Sequence, residues 1–252
     1  MDSDSDTFET SGKPRKDLLE PAILFLSGRC VFAEGAPSTP LYQCNSNIQS
    51  VSNRDSSALL ERVQRNEAGL DAEPESSAAG ASSKHLFWLV HPANSQYRTD
   101  IPARYFITAA DSEMLGNIRL EISEPRLQRT SFKAKVGVGK TAASKPLFDE
   151  EQVLLFDIRP RLGLNASSYQ WSNSSGHQVA VEEKHDDRHK LSITRSMTQQ
   201  SRDALVTTWL LRLWHQTADS RQAKREFYES MTTPEILKEN MNTLPRAYCI
   251  LM

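Results

Sequence analysis

Residues 202–214 restrict the possible folds of this chain more than any other segment. They have a helical composition, and their apolar side chains, Leu205 and Trp209 among them, nearly encircle the helix axis. A helix that is apolar on all sides is buried in a protein core or in a membrane. As a helix these thirteen residues span roughly 20 Å, far short of a bilayer. The segment therefore predicts a helix wrapped by strands, with Ser201 or Asp203 available as its N-cap.

Most of the preceding chain predicts short β-strands separated by turns. Several segments are rich in β-branched and aromatic residues, and some alternate apolar with polar positions. The predicted strands are 22–26 continued by 30–32, then 41–44, 85–90, 104–108, 116–122, 153–158, 169–171, 178–182 and 190–194. We expect a turn at 34–37 and the end of a strand at Pro160. Strands at short, regular spacing indicate a barrel or a sandwich.

Composition divides the chain into three parts. Residues 1–20 are acidic and polar, which predicts a disordered tail. Residues 21–230 form the predicted β domain, interrupted by a small, polar, flexible insertion at 66–84. Residues 231–252 hold a short helix, with Thr233 as N-cap and Pro234 at its first position, and then a C-terminal tail.

Several blocks resemble proteins of one superfamily. The resemblance is carried by residues 26–42, 156–160, 169–171, 179–182 and 203–214. The chain resembles the tubby C-terminal domain superfamily, which includes the LURP-one-like proteins and phospholipid scramblases. It is similar in particular to uncharacterised filamentous-fungal proteins with a tubby-like fold. The resemblance implies a mainly β (α+β) fold: an antiparallel β-barrel around a buried, hydrophobic C-terminal helix, with short surface helices. It supplies no catalytic residues.

Charge and cysteine content exclude several classes of protein. The net charge of −2 argues against a nucleic-acid binder. No apolar run reaches 18 residues, so no transmembrane helix is expected. The acidic N-terminus resembles neither a secretory signal nor a mitochondrial presequence. Three cysteines, Cys30, Cys44 and Cys249, have no metal-binding spacing and favour a reducing compartment. We therefore expect an intracellular, cytoplasmic protein without cofactors or metals.

The last four residues, Cys249-Ile-Leu-Met252, match the C-a-a-X pattern of prenylated proteins. Met at the last position favours farnesyl. The Cys249 thiolate is the predicted nucleophile that takes the isoprenoid, and a prenyltransferase is the predicted modifying enzyme. The alternative is an ordinary tail cysteine beside apolar residues. Farnesylation would anchor the chain at the cytoplasmic face of a membrane.

A second candidate signal is a run of basic residues. Residues 126–145 contain six cations and no acid. These candidate anionic-lipid ligands are Arg126, Arg129, Lys133, Lys135, Lys140 and Lys145. Each cation near an anionic leaflet contributes about 1 kcal/mol, and a single lipid anchor generally needs such a second signal. The alternative is a solvated loop with exposed lysines.

Two other motifs resemble functional sites, but the residues around each motif argue against that function. Residues 137–141 (GVGKT) approach a phosphate-binding loop, but Ala134 stands where the first glycine belongs and Pro146 stops any following helix. His185 and His189 have a metal-ligand spacing that requires a helix, yet they lie between two predicted strands. We interpret residues 137–141 as a chance match to the phosphate-binding motif, and the two histidines as part of a charged hairpin.

These observations predict a non-enzymatic, membrane-peripheral module that binds anionic lipids or acts as an adaptor and is farnesylated at Cys249. The alternative is a soluble barrel with an unmodified tail that binds proteins or small ligands. A third reading is an enzyme whose site is assembled from residues distant in sequence.

Overall fold

Twelve antiparallel strands form a closed barrel, and a helix lies inside it. The computed structural model describes residues 18–49, 57–64, 82–92, 95, 99–125, 129–161, 168–185 and 188–218. The strands are β1 (Leu18–Leu19), β2 (Ala22–Ser27), β3 (Cys30–Ala33), β4 (Ala36–Cys44), β5 (Ser57–Gln64), β6 (Ser82–Val90), β7 (Phe106–Ala109), β8 (Gly116–Ser123), β9 (Ser131–Val138), β10 (Val153–Pro160), β11 (Tyr169–Asn173), β12 (Gln178–His185), β13 (Arg188–Ile193) and β14 (Met197–Thr198). The helix α1 is Gln199–Ala218.

The barrel is a meander in which each strand from β2 to β13 pairs with its neighbours in sequence. Closure comes from the first and last of these strands, with Leu24 of β2 opposite Leu191 of β13. A separate two-stranded sheet joins β1 to β14. Closure leaves the barrel without an open edge, and alternate residues of each strand point inward. The mainly β fold with a buried C-terminal helix is thus confirmed, and it is compatible with the tubby-like plan.

Helix α1 fills the barrel interior. Every residue from 202 to 215 is buried, and Trp209 and Trp214 are fully enclosed. Inward side chains of the strands, such as Trp171 of β11 and Leu60 of β5, belong to the same core. The expected encirclement of an apolar helix by strands is therefore confirmed. Twenty residues give α1 a length of about 30 Å.

Buried polar groups hold α1 near its N-terminal end. Asp203 accepts hydrogen bonds from the Tyr42 hydroxyl at 2.9 Å, from Arg62 Nη1 at 2.6 Å and from Gln199 Nε2 at 2.6 Å. Burial raises the pKa of Asp203, and the nearby Arg62 offsets part of that shift. Asp203 therefore fixes the helix against β4 and β5.

A second polar group holds α1 near its C-terminal end. Arg212 donates to Glu182 of β12, and both side chains are 1% exposed. Burial raises the pKa of Glu182, and Arg212 counteracts this shift most. Such a pair fixes orientation more than it adds stability, because both charges lose their water.

The structure corrects several predicted boundaries. The first hairpin turns already at Gly28, so 30–32 form β3 rather than continuing β2. The next turn involves only Glu34 and Gly35, because residues 36–37 belong to β4. Pro160 is the last residue of β10 rather than its terminator. Strands β5 and β9 were not predicted, and β6 begins at Ser82, inside the predicted insertion.

The predicted N-cap of α1 is wrong. Thr198 caps the helix, since its hydroxyl oxygen accepts a hydrogen bond from the Ser201 backbone N–H at 3.2 Å. Asp203 lies a full turn inside the helix, where its carboxylate accepts the buried hydrogen bond from Tyr42 instead of capping the helix. Residues 1–17 and 219–252 lie outside the described residues, and with them the second predicted helix, the C-terminal tail and most of the predicted N-terminal tail. The last residues of that N-terminal tail are described, and Leu18–Leu19 form β1. Within the described part, no helix is both long and apolar enough to span a bilayer.

Candidate functional site

Outward-facing side chains of β8, β9 and β10 line a groove on the barrel wall. Its volume is about 900 Å³. Lys133 lies at the centre of this arrangement, opposite Glu121 of β8 and opposite Asp157 of β10. We call it the basic groove and define it by its six charged residues: Glu121, Arg129, Lys133, Asp157, Arg159 and Arg161. With four cations against two carboxylates, the groove has an excess of positive charge.

Strand alternation explains why these residues converge. Phe132, Ala134 and Val136 of β9 point into the core, which turns Lys133 and Lys135 outward. On β10, Phe156 and Ile158 are buried, so Asp157 and Arg159 face the same side as Lys133. Period-two alternation on neighbouring strands therefore places the charges side by side on the outer wall.

Exposed pairs hold the cations of the groove in place. Arg159 Nη2 lies 2.7 Å from Asp157 Oδ2, and Arg161 Nη1 lies 3.3 Å from Glu183 Oε1. The hydrogen bond with Asp157 raises the pKa of Arg159, so the guanidinium keeps its charge. Exposed pairs of this kind contribute at most about 1 kcal/mol. An anionic ligand can therefore compete for these guanidinium groups at little cost.

Two other cations of the groove have no carboxylate partner among the described side chains. Arg129 donates to the backbone oxygens of Arg161 at 3.2 Å and Ser168 at 3.4 Å. Its guanidinium carbon lies 5.2 Å from the centre of the Tyr169 ring, which helps to fix its position. Lys133 is exposed, and among the described residues no hydrogen bond or ion pair involves its side chain. Its ammonium group is therefore available to a ligand.

Only some residues of the predicted basic run line the groove. Arg129 and Lys133 line the groove, whereas Lys135 lies beside it and pairs with Glu121 at 2.9 Å. Lys140 pairs with Asp149 at 2.7 Å in the loop between β9 and β10, and Lys145 lies in the same loop. Neither of these lysines lines the groove. Arg126 and Cys249 lie outside the described residues.

Sequence reasoning missed Arg159 and Arg161. They are 26 or more positions from Lys133 in the chain and enter the groove because β10 pairs with β9. One signal was present: residues 157–161 alternate charged with apolar side chains, as an outward row on a barrel strand does. Combining that alternation with the basic run into one site would have required knowing that β9 pairs with β10.

The two other motifs have structural explanations. A Cβ on Gly116 would lie 2.1 Å from the Gly137 carbonyl oxygen, so close backbone contact between β8 and β9 requires glycine there. Gly139, with a φ of 73°, turns the chain after β9, and no helix follows in residues 139–152. The two histidines of the other motif belong to the paired strands β12 and β13. No metal-binding group of three or more His, Cys, Asp or Glu occurs in the part of the chain described.

Comparisons with protein-family models, curated proteins and solved structures found no match to this chain. The resemblance to the tubby-like superfamily therefore remains a prediction. What the residues present is a closed barrel whose outer wall carries a basic groove.

Proposed function

We propose that this protein is a non-enzymatic, membrane-peripheral module whose basic groove binds anionic lipid head groups. The observation that supports this most is the grouping of Arg129, Lys133, Arg159 and Arg161 on one outer face. Guanidinium groups bind phosphate oxygens through paired hydrogen bonds, and Lys133 adds a point charge. Cations near an anionic leaflet contribute about 1 kcal/mol each, so four form an effective but reversible contact.

Farnesylation of Cys249 is the second part of the proposal. One lipid chain alone gives marginal membrane binding, and an additional basic surface is the usual complement. Only Arg246 lies close to Cys249 in the sequence. The basic groove would supply this second signal from the folded barrel.

The test is co-sedimentation of the unmodified full chain with vesicles of phosphatidylcholine alone or mixed with phosphatidylserine. We expect binding only to the anionic vesicles, and less of it at high salt, because salt screens exposed charges. The double variant Lys133→Glu/Arg159→Glu should weaken binding by about tenfold or more. Circular dichroism should show that this variant remains folded, since both side chains are on the outer wall.

The matched control is Lys140→Glu/Lys145→Glu, which changes the net charge equally but lies outside the groove. It should keep most of the binding. Equal losses in the two double variants would mean that total charge, not the groove, attracts the membrane. Absence of binding to anionic vesicles by the parent chain would refute the proposal and leave the soluble binding barrel as the better reading.

A further inference from the structure

A second cavity lies at the end of the barrel where α1 ends. Its volume is about 240 Å³. The polar residues around it are Glu124, Thr130, Arg212, His215 and Gln216, and the rings of Phe132 and Tyr169 form its apolar wall. We call it the mouth cavity. It is separate from the basic groove, although Phe132 borders both.

Arg212 is the buried charge of this cavity. Nη2 donates to Glu182, which lies in the barrel interior. Nη1 and Nη2 both donate to the amide oxygen of Gln216, each at 3.3 Å. Gln216 is exposed, so the group that accepts from the outer edge of the guanidinium is a neutral oxygen on a solvent-facing side chain. A carboxylate in that position would form shorter, charge-assisted hydrogen bonds.

The aromatic wall favours a flat ligand body. The Tyr169 ring is close to two guanidinium groups, with its centre 4.5 Å from Arg212 Cζ and 5.2 Å from Arg129 Cζ. The Phe132 ring lies 5.9 Å from Tyr169, and 5.3 Å from His215, between ring centres. A planar ligand would pack in a stacked or T-shaped arrangement against the parts of the Phe132 and Tyr169 rings that line the cavity. The volume is below that of a typical drug-sized site, so it suits a small molecule.

The local charges also favour one negative charge. The groups around the cavity are the cations Arg129 and Arg212, the carboxylates Glu124 and Glu182, and His215, whose Nε2 is 3.6 Å from Glu124 Oε1. Arg212 is itself a buried cation, so a monoanion on its outer edge would be paired with an opposite charge, which lowers the penalty for burying the ligand's charge.

We propose that the mouth cavity binds a small, flat organic monocarboxylate, with its carboxylate on the outer edge of Arg212 in place of the Gln216 amide oxygen. The ligand body would lie against Phe132 and Tyr169. This inference does not rest on membrane binding, although Arg129 of the basic groove lies near the Tyr169 ring.

Benzoate is the probe, and benzamide, its neutral isostere, is the matched compound. Saturation-transfer NMR and thermal unfolding of the full chain should show binding of benzoate and little or none of benzamide. Gln216→Glu should weaken benzoate binding by about tenfold or more, because the new carboxylate occupies Arg212 and repels the ligand. Gln216→Ala should leave binding intact or strengthen it, because it uncovers the guanidinium edge.

Gln200→Glu is the control for added charge, since Gln200 is exposed at the opposite end of α1. It should bind benzoate like the parent chain. The proposal is overturned if benzoate and benzamide behave alike, if neither binds, or if Gln216→Glu and Gln200→Glu bind benzoate equally. Competition by inorganic phosphate stronger than that of benzoate would overturn the assignment of a flat ligand.

Discussion

Glu182 is a residue whose chemistry depends strongly on its surroundings. It lies in the barrel interior, 1% exposed, with Arg212 as its charged partner. The indole N–H groups of Trp171 and Trp209 also stabilise its charged form. Burial outweighs these contributions and raises the pKa of Glu182 above its ordinary value. The folded protein therefore holds a proton at this site more tightly than the unfolded chain does.

This difference predicts a pH dependence of stability with a defined sign. A carboxyl with a raised folded-state pKa contributes most below its unfolded value, about 4.3, and that contribution is lost as pH rises through the folded value. We compare the parent chain with Glu182→Gln, which cannot titrate. The unfolding free energy of the parent minus that of the variant should increase as pH falls from 7 towards 4.3, measured by urea denaturation.

Glu183→Gln provides the control, because Glu183 is the next residue of β12 and pairs on the outer wall with Arg161. A steeper pH dependence of the Glu182→Gln difference than of the Glu183→Gln difference would assign the effect to the buried position. A Glu182→Gln difference that shrinks as pH falls would show that the pKa of Glu182 is lowered in the folded state.

At the scale of elements, α1 organises the molecule. Its N-terminus is capped by Thr198, and its side chains reach inward-facing residues around the barrel. Trp209 lies in the middle of the helix with no exposed surface. Removing it would leave a large cavity that the surrounding strands cannot fill without distortion.

Trp209→Asp should therefore prevent folding. Loss of the indole alone is worth about 3–5 kcal/mol, and an unpaired carboxylate in the barrel interior adds a further penalty. The matched variant Gln200→Asp puts the same side chain at an exposed position of α1 and should change stability by no more than about 0.5 kcal/mol. Thermal unfolding followed by circular dichroism distinguishes them. Similar melting of Trp209→Asp and the parent would contradict the central position of the helix.

The sequence predicted the elements whose patterns are strong. The all-round apolar character of 202–214 predicted the buried helix, and runs such as 85–90 and 116–122 predicted β6 and β8 within a few residues. Strand β9 was missed because four of its eight residues are Lys or Gly or Ser, which resemble a loop when considered alone. The inward-facing positions of β9 can be identified only once its pairing with β8 and β10 is known.

For the same reason, the sequence predicted only two of the four cations of the candidate site. Arg129 and Lys133 are close in sequence, so their clustering was visible, whereas Arg159 and Arg161 join them only through pairing of β9 with β10. The mouth cavity was not predicted at all. Its residues come from the end of α1 and from strands far apart in the chain, and Arg212 by itself resembled a charged residue on an otherwise apolar helix.

At the scale of the whole molecule, the groove and the exit of the chain lie towards the same end of the barrel. Phe132 borders both the groove and the mouth cavity, which includes Gln216 near the end of α1. Roughly 30 residues connect Ala218 to Cys249, and such a length spans at most about 100 Å. A lipid anchor on Cys249 and the basic groove could therefore engage one membrane together.

Intact mass of the full chain from a eukaryotic host tests the anchor. We expect a mass that accounts for an added farnesyl group, loss of Ile250 to Met252 and methylation of the new carboxylate, as in other C-a-a-X proteins. Cys249→Ser should carry none of these three changes. An unmodified mass for the parent chain would remove the anchor from the proposal while leaving the groove to be judged by the vesicle experiment.

The meander closes by joining residues 22–27 to residues 188–193, and the helix that fills it comes later still. During synthesis, the strands thus emerge before either the partner that closes the ring or the core that fills it. Their inward apolar side chains cannot be fully buried until α1 has left the ribosome. Pairing over such a long sequence separation also makes folding slow. The barrel can therefore be completed only late in synthesis, when both β13 and α1 are available.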